Sequence, residues 1–529
     1  MLFNSYEFIL VFLPVVFAGT FLLGSRDPRL AAVWLGSASL VFYGMWDSRF
    51  IFLLLLSVAF NYGAGVVIAR QRALGQIIGS RMALVGAVSV DLAILGYYKY
   101  ANFFRASVSA MLGESGPALD IVLPLGISFF TFTQIAFLVD AYRGTAREYR
   151  FIHYLMFVTY FPHLIAGPLF HHGQMMPQFE RASNYRVDLA NVGAGLTIFI
   201  LGLVKKVLIA DGLAEYATLV FDAAQDGKPL MVAEAWIGAL AYTLQLYFDF
   251  SAYSDMAIGL ALMLCMRLPL NFDSPYKATS IIDFWRRWHM TLSAFLRDYL
   301  YIPLGGNRKG KLRRYANVFV TMLLGGLWHG AGWTFVVWGG LHGLYLIVNH
   351  GWRELKQLLG WGPAGRIGRW AAGALTFLAV VVGWVVFRAE SMDAAWGMLW
   401  AMMGGNGISL PGGMESRMAQ AVASVELKIV FEGLAPVTLI SPNRAIFGIA
   451  FGLIVCWYFP NVRQLMSRFK PVWEDIAGRR TPSDLDGSRV RAGWHWQLTP
   501  ARAAMAGALL FLGLLLISSR QSEFLYFQF

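Results

Sequence analysis

Three histidines stand in sequence contexts where histidine is costly and therefore informative. His289 closes the basic, tryptophan-rich run DFWRRWHM. His329 lies within LLGGLWHGAG, and His342 follows thirteen residues later in WGGLHG. Ionisable groups at or inside a membrane are by default candidates for function. An imidazole kept neutral by an apolar setting can take a proton from a hydroxyl near neutral pH, which makes His329 a candidate general base. His289, beside Arg286 and Arg287, is a candidate for positioning a ligand or carrying a second proton. His342, flanked by Gly339, Gly340 and Gly343, reads as packing around them. The plain alternative for each is a core histidine hydrogen-bonded to a backbone carbonyl. No tight ligand spacing supports a metal, and none is expected.

Other polar residues interrupt apolar sequence nearby. LYFDFSAYSDM (Leu246–Met256) places Asp249, Ser251, Tyr253, Ser254 and Asp255 between flanks that otherwise suit a span. Such carboxylates either pair with a nearby arginine or line a polar tunnel. Leu123–Tyr142 carries Ser128, Thr131, Thr133, Gln134 and Asp140. YFPHLIAGPLFHHG (Tyr160–Gly173) breaks regular helix at Pro162, Gly167 and Pro168, and contains His163, His171 and His172. Irregular backbone at that depth must line a cavity or be buried in protein. Its histidines read as buried or interfacial residues, with a site role as the alternative.

The elements that position these residues are membrane helices. Of the 529 residues 57% are hydrophobic and only 14% charged, against about 25% charged in ordinary soluble domains. Apolar runs recur from Phe8–Leu23 to Ala501–Ser518. Their lengths predict an all-α polytopic membrane protein with roughly 11–13 membrane helices, some re-entrant or interfacial. The first run lacks a basic leader and reads as a retained helix. Cys265 and Cys456 sit in apolar sequence and predict no disulfide. The net charge of +12 comes from clusters such as Arg70–Arg81, Arg143–Arg150, Arg308–Arg314, Arg353–Arg369 and Arg463–Arg491. That is the pattern of cytoplasmic loops rather than of a nucleic-acid surface. Gly404–Asn443 then faces the other side.

The expected organisation is an N-terminal scaffold over 1–120, a core over 121–350 carrying the polar residues, and C-terminal helices over 351–529 with a cytoplasmic loop near 463–493. Ser280 and Asp283 predict a capping box that opens a helix over Ile281–Tyr301. On it Trp285, Trp288, His289, Leu292 and Leu296 share one face. Glycines 325, 326, 330 and 332 predict close packing or a break around His329. Without a break, His342 would sit roughly 20 Å away along the helix. No P-loop, dinucleotide fingerprint, nucleophile elbow or zinc-protease motif is present.

Several long motifs occur together and in order. FWRRWHMTLSAFLRDYLYIPLGGNRKG, then GGLWHGAGWTFVVWGGLHG, with YFPHLIAGP, LYFDFSAYSDMAIGLA, LGYYKYANFF and the closing EFLYFQF, resemble bacterial membrane-bound O-acyltransferases (MBOATs) over most of the chain. The likeness is strongest to the membrane subunit of alginate O-acetylation. The resemblance implies membrane helices ringed around a central tunnel and acyl transfer at a catalytic histidine, His329 by motif, with His289 as the second. It implies acetyl-CoA as donor and no permanently bound cofactor. The CoA phosphates would meet Arg286, Arg287, Arg308 or Lys309. Asp249, Ser251, Tyr253 and Asp255, with Trp285, Trp328 and His342, would line the tunnel. It further implies the bacterial inner membrane, a periplasmic SGNH-type acetyltransferase partner and an exopolysaccharide as the eventual acceptor, most readily alginate, with cellulose or another envelope polymer next. Rival readings from the residues are a transporter of a polysaccharide precursor and a scaffold for a synthase.

Overall fold

The computed structural model describes residues 1–113, 117–146, 150–415, 428–438, 440–476, 480–482, 494–517 and 525. The parts of the expected basic loop at 483–493, of the loop at 416–427, and of the terminal EFLYFQF motif other than Leu525 lie outside these. Apolar sequence becomes helix almost throughout, because a chain in hydrocarbon must satisfy each N–H and C=O within its own segment. Among the described residues strand is confined to a two-residue parallel pairing of Ile408–Ser409 with Ile429–Val430.

Six helices there are long and apolar enough to cross a membrane: Glu7–Gly24, Arg49–Ala73, Ile77–Leu112, Leu189–Gln225, Arg366–Arg388 and Pro500–Ile517. The Val232–Met263 helix is not among them, although its 32 residues reach about 48 Å. Its polar residues lower its mean hydropathy below that of a lipid-facing span. It runs through the centre of the protein, nearly every side chain buried, so its polar residues face protein rather than lipid. Its backbone lies against that of Leu189–Val204. A Cβ on Gly195 would stand 2.6 Å from the Gly259 carbonyl oxygen, and one on Gly259 2.5 Å from that of Gly195. Its first turn is fastened to the distant loop by Glu234, whose carboxylate accepts from the Val437 and Thr438 amides at 2.9 and 2.8 Å.

The glycine-rich sequence around His329 resolves into a helical hairpin. Gly310–His329 runs inward, Gly330 and Gly332 are extended, and Trp333–Leu358 returns. The two helices approach at Gly326 and Gly339, where a Cβ would meet the carbonyl oxygens of Phe335 and Met322 at 2.2 and 2.4 Å. The expected break is therefore present, and it removes the 20 Å separation that a continuous helix would impose.

The Ser280 cap also forms, its hydroxyl accepting from Asp283 N at 3.2 Å. The helix that follows is not continuous over Ile281–Tyr301. It comprises Ile281–Arg287, Met290–Leu296 and a widened turn over Arg297–Tyr301. The break is His289 itself, at φ 42° and ψ 54°, a left-handed conformation unusual for a residue with a Cβ. Such strain persists only where the surroundings hold it.

One face of the molecule can be traced through its polar contacts. Arg143 donates to the Asp298 carbonyl, Arg314 pairs with Glu354, Arg353 reaches Ser280, and Lys277 reaches the Phe459 carbonyl. These tie the basic ends of several helices into one surface.

Candidate active site

His289 and His329 meet in the interior with ring centroids 6.4 Å apart. Both are buried. His329 is boxed by Trp328, Trp338 and Phe387 at 4.9, 5.2 and 5.3 Å between centroids. Phe250 packs edge-on against His289 at 4.8 Å. His342 joins through Trp338, which lies 4.9 Å from it. The tight fit there depends on Gly383, where a Cβ would approach His342 Nε2 to 2.8 Å. An aromatic cage of this kind excludes water and strengthens any hydrogen bond made inside it.

The tautomer of His289 follows from its partner. Asn271 Oδ1 accepts from Thr291 Oγ1 at 2.9 Å and lies 3.0 Å from His289 Nδ1. The amide nitrogen of Asn271 donates to Ser254 Oγ at 3.1 Å, so in this arrangement the oxygen end of the amide faces the histidine. An oxygen acceptor means that Nδ1 carries the proton, leaving Nε2 as a lone pair. Among the described residues Nε2 has no hydrogen-bond partner. The Asn271 carbonyl also accepts from Met290 N at 2.9 Å. One residue thus holds both the strained backbone and the ring of His289. An Asn271→Leu chain is expected to lose at least about tenfold in turnover through ring misplacement, with Asn271→Asp, which keeps the acceptor, retaining most of it; equal activity in all three would remove Asn271 from the site.

His329 is held from its backbone. It ends its helix, and Lys99 Nζ donates to the orphan carbonyls of Trp328 and His329 at 2.6 and 3.1 Å. Tyr100 adds a bond to Leu327 O at 2.8 Å. A cation at a helix C-terminus is favourable for the same reason the carbonyls are orphaned there. Lys99 and Tyr100, in the YYKY run, thus supply the C-terminal cap of the site helix.

Two cavities flank the pair. One of about 100 Å³ is lined by Trp46, Lys99, Gly126, Ser128, Trp328 and His329. The other, of about 70 Å³, is lined by Lys205, Ser251, Asp255, Phe272, Asn461 and Arg463, and Phe272 stacks at 6.4 Å on His289. Each imidazole thus has a cavity beside it, His329 directly and His289 through Phe272. His289 Nε2 and the buried Trp338 indole N–H, which also lacks a partner among the described residues, give the cage one acceptor and one donor for a polar guest.

The remaining sequence candidates are placed as follows. Ser251 and Asp255 line the smaller cavity, with Asp255 paired to Lys205. Asp249 is buried against Lys206 at 2.7 Å, and Lys206 also meets Asp211 at 2.7 Å. The carboxylates of the central helix therefore pair with lysines rather than arginines. Tyr253 stacks on Phe3 at 4.5 Å, within the N-terminal core. Trp285 donates to His342 Nδ1 at 3.3 Å, and Trp328 contacts both His289 and His329. Arg287 is buried in a pair with Asp283 at 3.0 Å, whereas Arg286, Arg308 and Lys309 are exposed. His163 is a core residue, its Nε2 3.2 Å from Phe157 O. His171 and His172 gather around Asp140, away from this cage. Asn271, Lys99 and Trp338 were not singled out by sequence.

Comparison with known proteins gives the family. The family model for MBOAT, the membrane-bound O-acyltransferase family, matches residues 43–387. A peptidoglycan O-acetyltransferase of Helicobacter pylori is 41% identical over 437 residues, covering 78% of this chain and 81% of that one. The probable alginate O-acetylase AlgI of Pseudomonas aeruginosa is 45% identical over 411 residues, covering 76% and 75%. The same-named protein of Pseudomonas fluorescens is 38% identical across the full length of both chains. With its all-α, multi-pass architecture, the chain belongs to the membrane-bound O-acyltransferase family and is an O-acyltransferase of the membrane.

Proposed function

We propose that this protein takes acetyl groups from acetyl-CoA at the cytoplasmic face of the bacterial inner membrane and passes them across for O-acetylation of an exopolysaccharide. The observation that carries this is the pair of buried imidazoles in an aromatic cage, with a cavity beside each. In the proposed reaction His329 takes the proton of an acceptor hydroxyl. The oxygen attacks the thioester carbonyl, the C–O bond forms, the C–S bond breaks, and the thiolate leaves as CoA, taking up the proton. In this scheme the Trp338 N–H is the donor that would stabilise the oxyanion. His289, its proton fixed on Nδ1, offers Nε2 to the acceptor or to the proton in transit. Exposed Arg286, Arg308 and Lys309 on the basic surface would meet the CoA phosphates, while Arg287 holds the fold.

The basic surface is assigned to the cytoplasm by the bias of Lys and Arg. An SGNH-type acetyltransferase on the other side would complete transfer. Alginate is the first polymer by the names of the Pseudomonas relatives, and peptidoglycan is the second by that of the Helicobacter relative.

The test is release of CoA thiol from acetyl-CoA by protein purified in nanodiscs, with the periplasmic partner added. Acetyl-CoA-dependent release is expected. Folded protein that binds polysaccharide precursor yet releases no thiol with a competent partner would favour transport.

A further inference from the structure

A second group of ligating atoms lies at the basic end of the Ile127–Arg143 helix, outside the acyl-transfer cage. Asp140 Oδ2 stands 2.9 Å from His171 Nε2 and 3.4 Å from His172 Nδ1. The three ligand atoms all fall within 4.8 Å of one another. Tyr299 OH donates to the same carboxylate oxygen at 2.7 Å and also contacts His171 Nε2. Bonds of about 2.0–2.1 Å in tetrahedral array place ligand atoms roughly 3.3 Å apart. The two carboxylate–imidazole separations, 2.9 and 3.4 Å, bracket that spacing, and small side-chain shifts would bring the Tyr299 oxygen to it.

The rings are held in place before any ion arrives. Phe137 and Phe157 pack edge-on to His172 at 6.0 and 6.5 Å, and Tyr299 stacks on His171 at 5.8 Å. His172 is 6% exposed, and its Nδ1 faces Asp140 Oδ2 at 3.4 Å. That is a long contact for a buried imidazole nitrogen, and an ion between the two atoms would replace it with two short bonds. The nearby cation does not occupy the centre: Arg143 Nη1 lies 3.7 Å from Oδ1, the other carboxylate oxygen, with its guanidinium over the Tyr299 ring.

We propose that Asp140, His171 and His172 form a binding site for a divalent transition-metal ion of the zinc class, with Tyr299 as the fourth ligand. The ligands come from a helix end, the start of the His172–Glu180 helix and the Arg297–Tyr301 turn, so the ion joins three elements. The segment before His171 is tied to the active site, since Leu169 N donates to Thr291 Oγ1 at 3.0 Å and Thr291 bonds Asn271. The ion's role is therefore positional. Neither His289 nor His329 is a ligand, and the site stands independently of the acyl-transfer reading.

The test uses full-length protein without a polyhistidine tag, purified in detergent, equilibrated with zinc chloride and passed through gel filtration before elemental analysis. About one zinc per chain is expected in the wild type, falling at least about tenfold in His171→Gln and Asp140→Asn. Cobalt substitution is expected to give the intense visible bands of a tetrahedral ion. Folded wild type that retains no zinc, or variants that retain as much, would overturn the site and leave a hydrogen-bond network. Should both variants aggregate, the cobalt spectrum of the wild type decides, and absence of tetrahedral bands rejects the proposal.

Discussion

A His329→Ala chain is expected to reach the membrane in normal amount and to lose about 10²- to 10⁴-fold in acetyl transfer, the usual contribution of a positioned general base. Normal abundance is expected because the helix end is held by backbone carbonyls bonded to Lys99 and Tyr100, which the substitution leaves in place. The ring is removed while the frame stays. His289→Ala alone is expected to lower the rate by a comparable or smaller factor. In a His329→Ala background it should cost little more, because groups that act as a unit are not additive. Single-turnover release of CoA thiol separates chemistry from product release. Multiplicative losses in the double variant would show two independent roles. Unchanged turnover in a folded His329→Ala protein would end the general-base assignment.

Much of this site was legible because apolar sequence leaves polar residues conspicuous. Histidine among glycine and tryptophan has few bland explanations, and the break between Gly330 and Gly332 could be read from the glycine spacing. What escaped the sequence lies in partners far along the chain. Lys99 meets a helix end 230 positions away, and in sequence it is one cation in an aromatic run. Asn271 is 18 residues before His289 in a loop whose composition says only turn. The same contact explains why the predicted Ile281–Tyr301 helix is broken. The periodic face from Trp285 to Leu296 survives a single left-handed residue, so the pattern gave no sign of His289's conformation. Likewise Asp249 and Asp255 were conspicuous as buried carboxylates. Their lysines, however, lie within an apolar run where the basic residues read as topology.

Those lysines carry the largest expected effect on stability. Lys206 is 3% exposed and sits between Asp211 and Asp249, 2.7 Å from each. Asp249 also accepts from the backbone N–H of Leu525 at 3.0 Å, which fastens the end of the chain to the central helix. In Lys206→Met the side chain keeps its volume but leaves two buried carboxylates facing each other. Breaking a buried pair in this way costs about 3–5 kcal/mol, a large fraction of a typical folding free energy. A strongly lowered melting temperature in detergent, and reduced membrane abundance, are therefore expected. Lys205→Met is the internal comparison, because the Lys205–Asp255 pair borders a cavity and its side chains are 21% and 14% exposed. Water can reach Asp255 there, so its loss should be smaller. Combining Lys206→Met with Asp249→Asn removes one of the stranded charges and should recover part of the stability, since a neutral amide can still accept from Leu525. A Lys206→Met protein that melts with the wild type would mean that the carboxylates take up protons or water at little cost, and that the triad does not hold the central helix in place. Partial rescue by Asp249→Asn would instead identify uncompensated charge, rather than lost packing, as the reason the lysine is there.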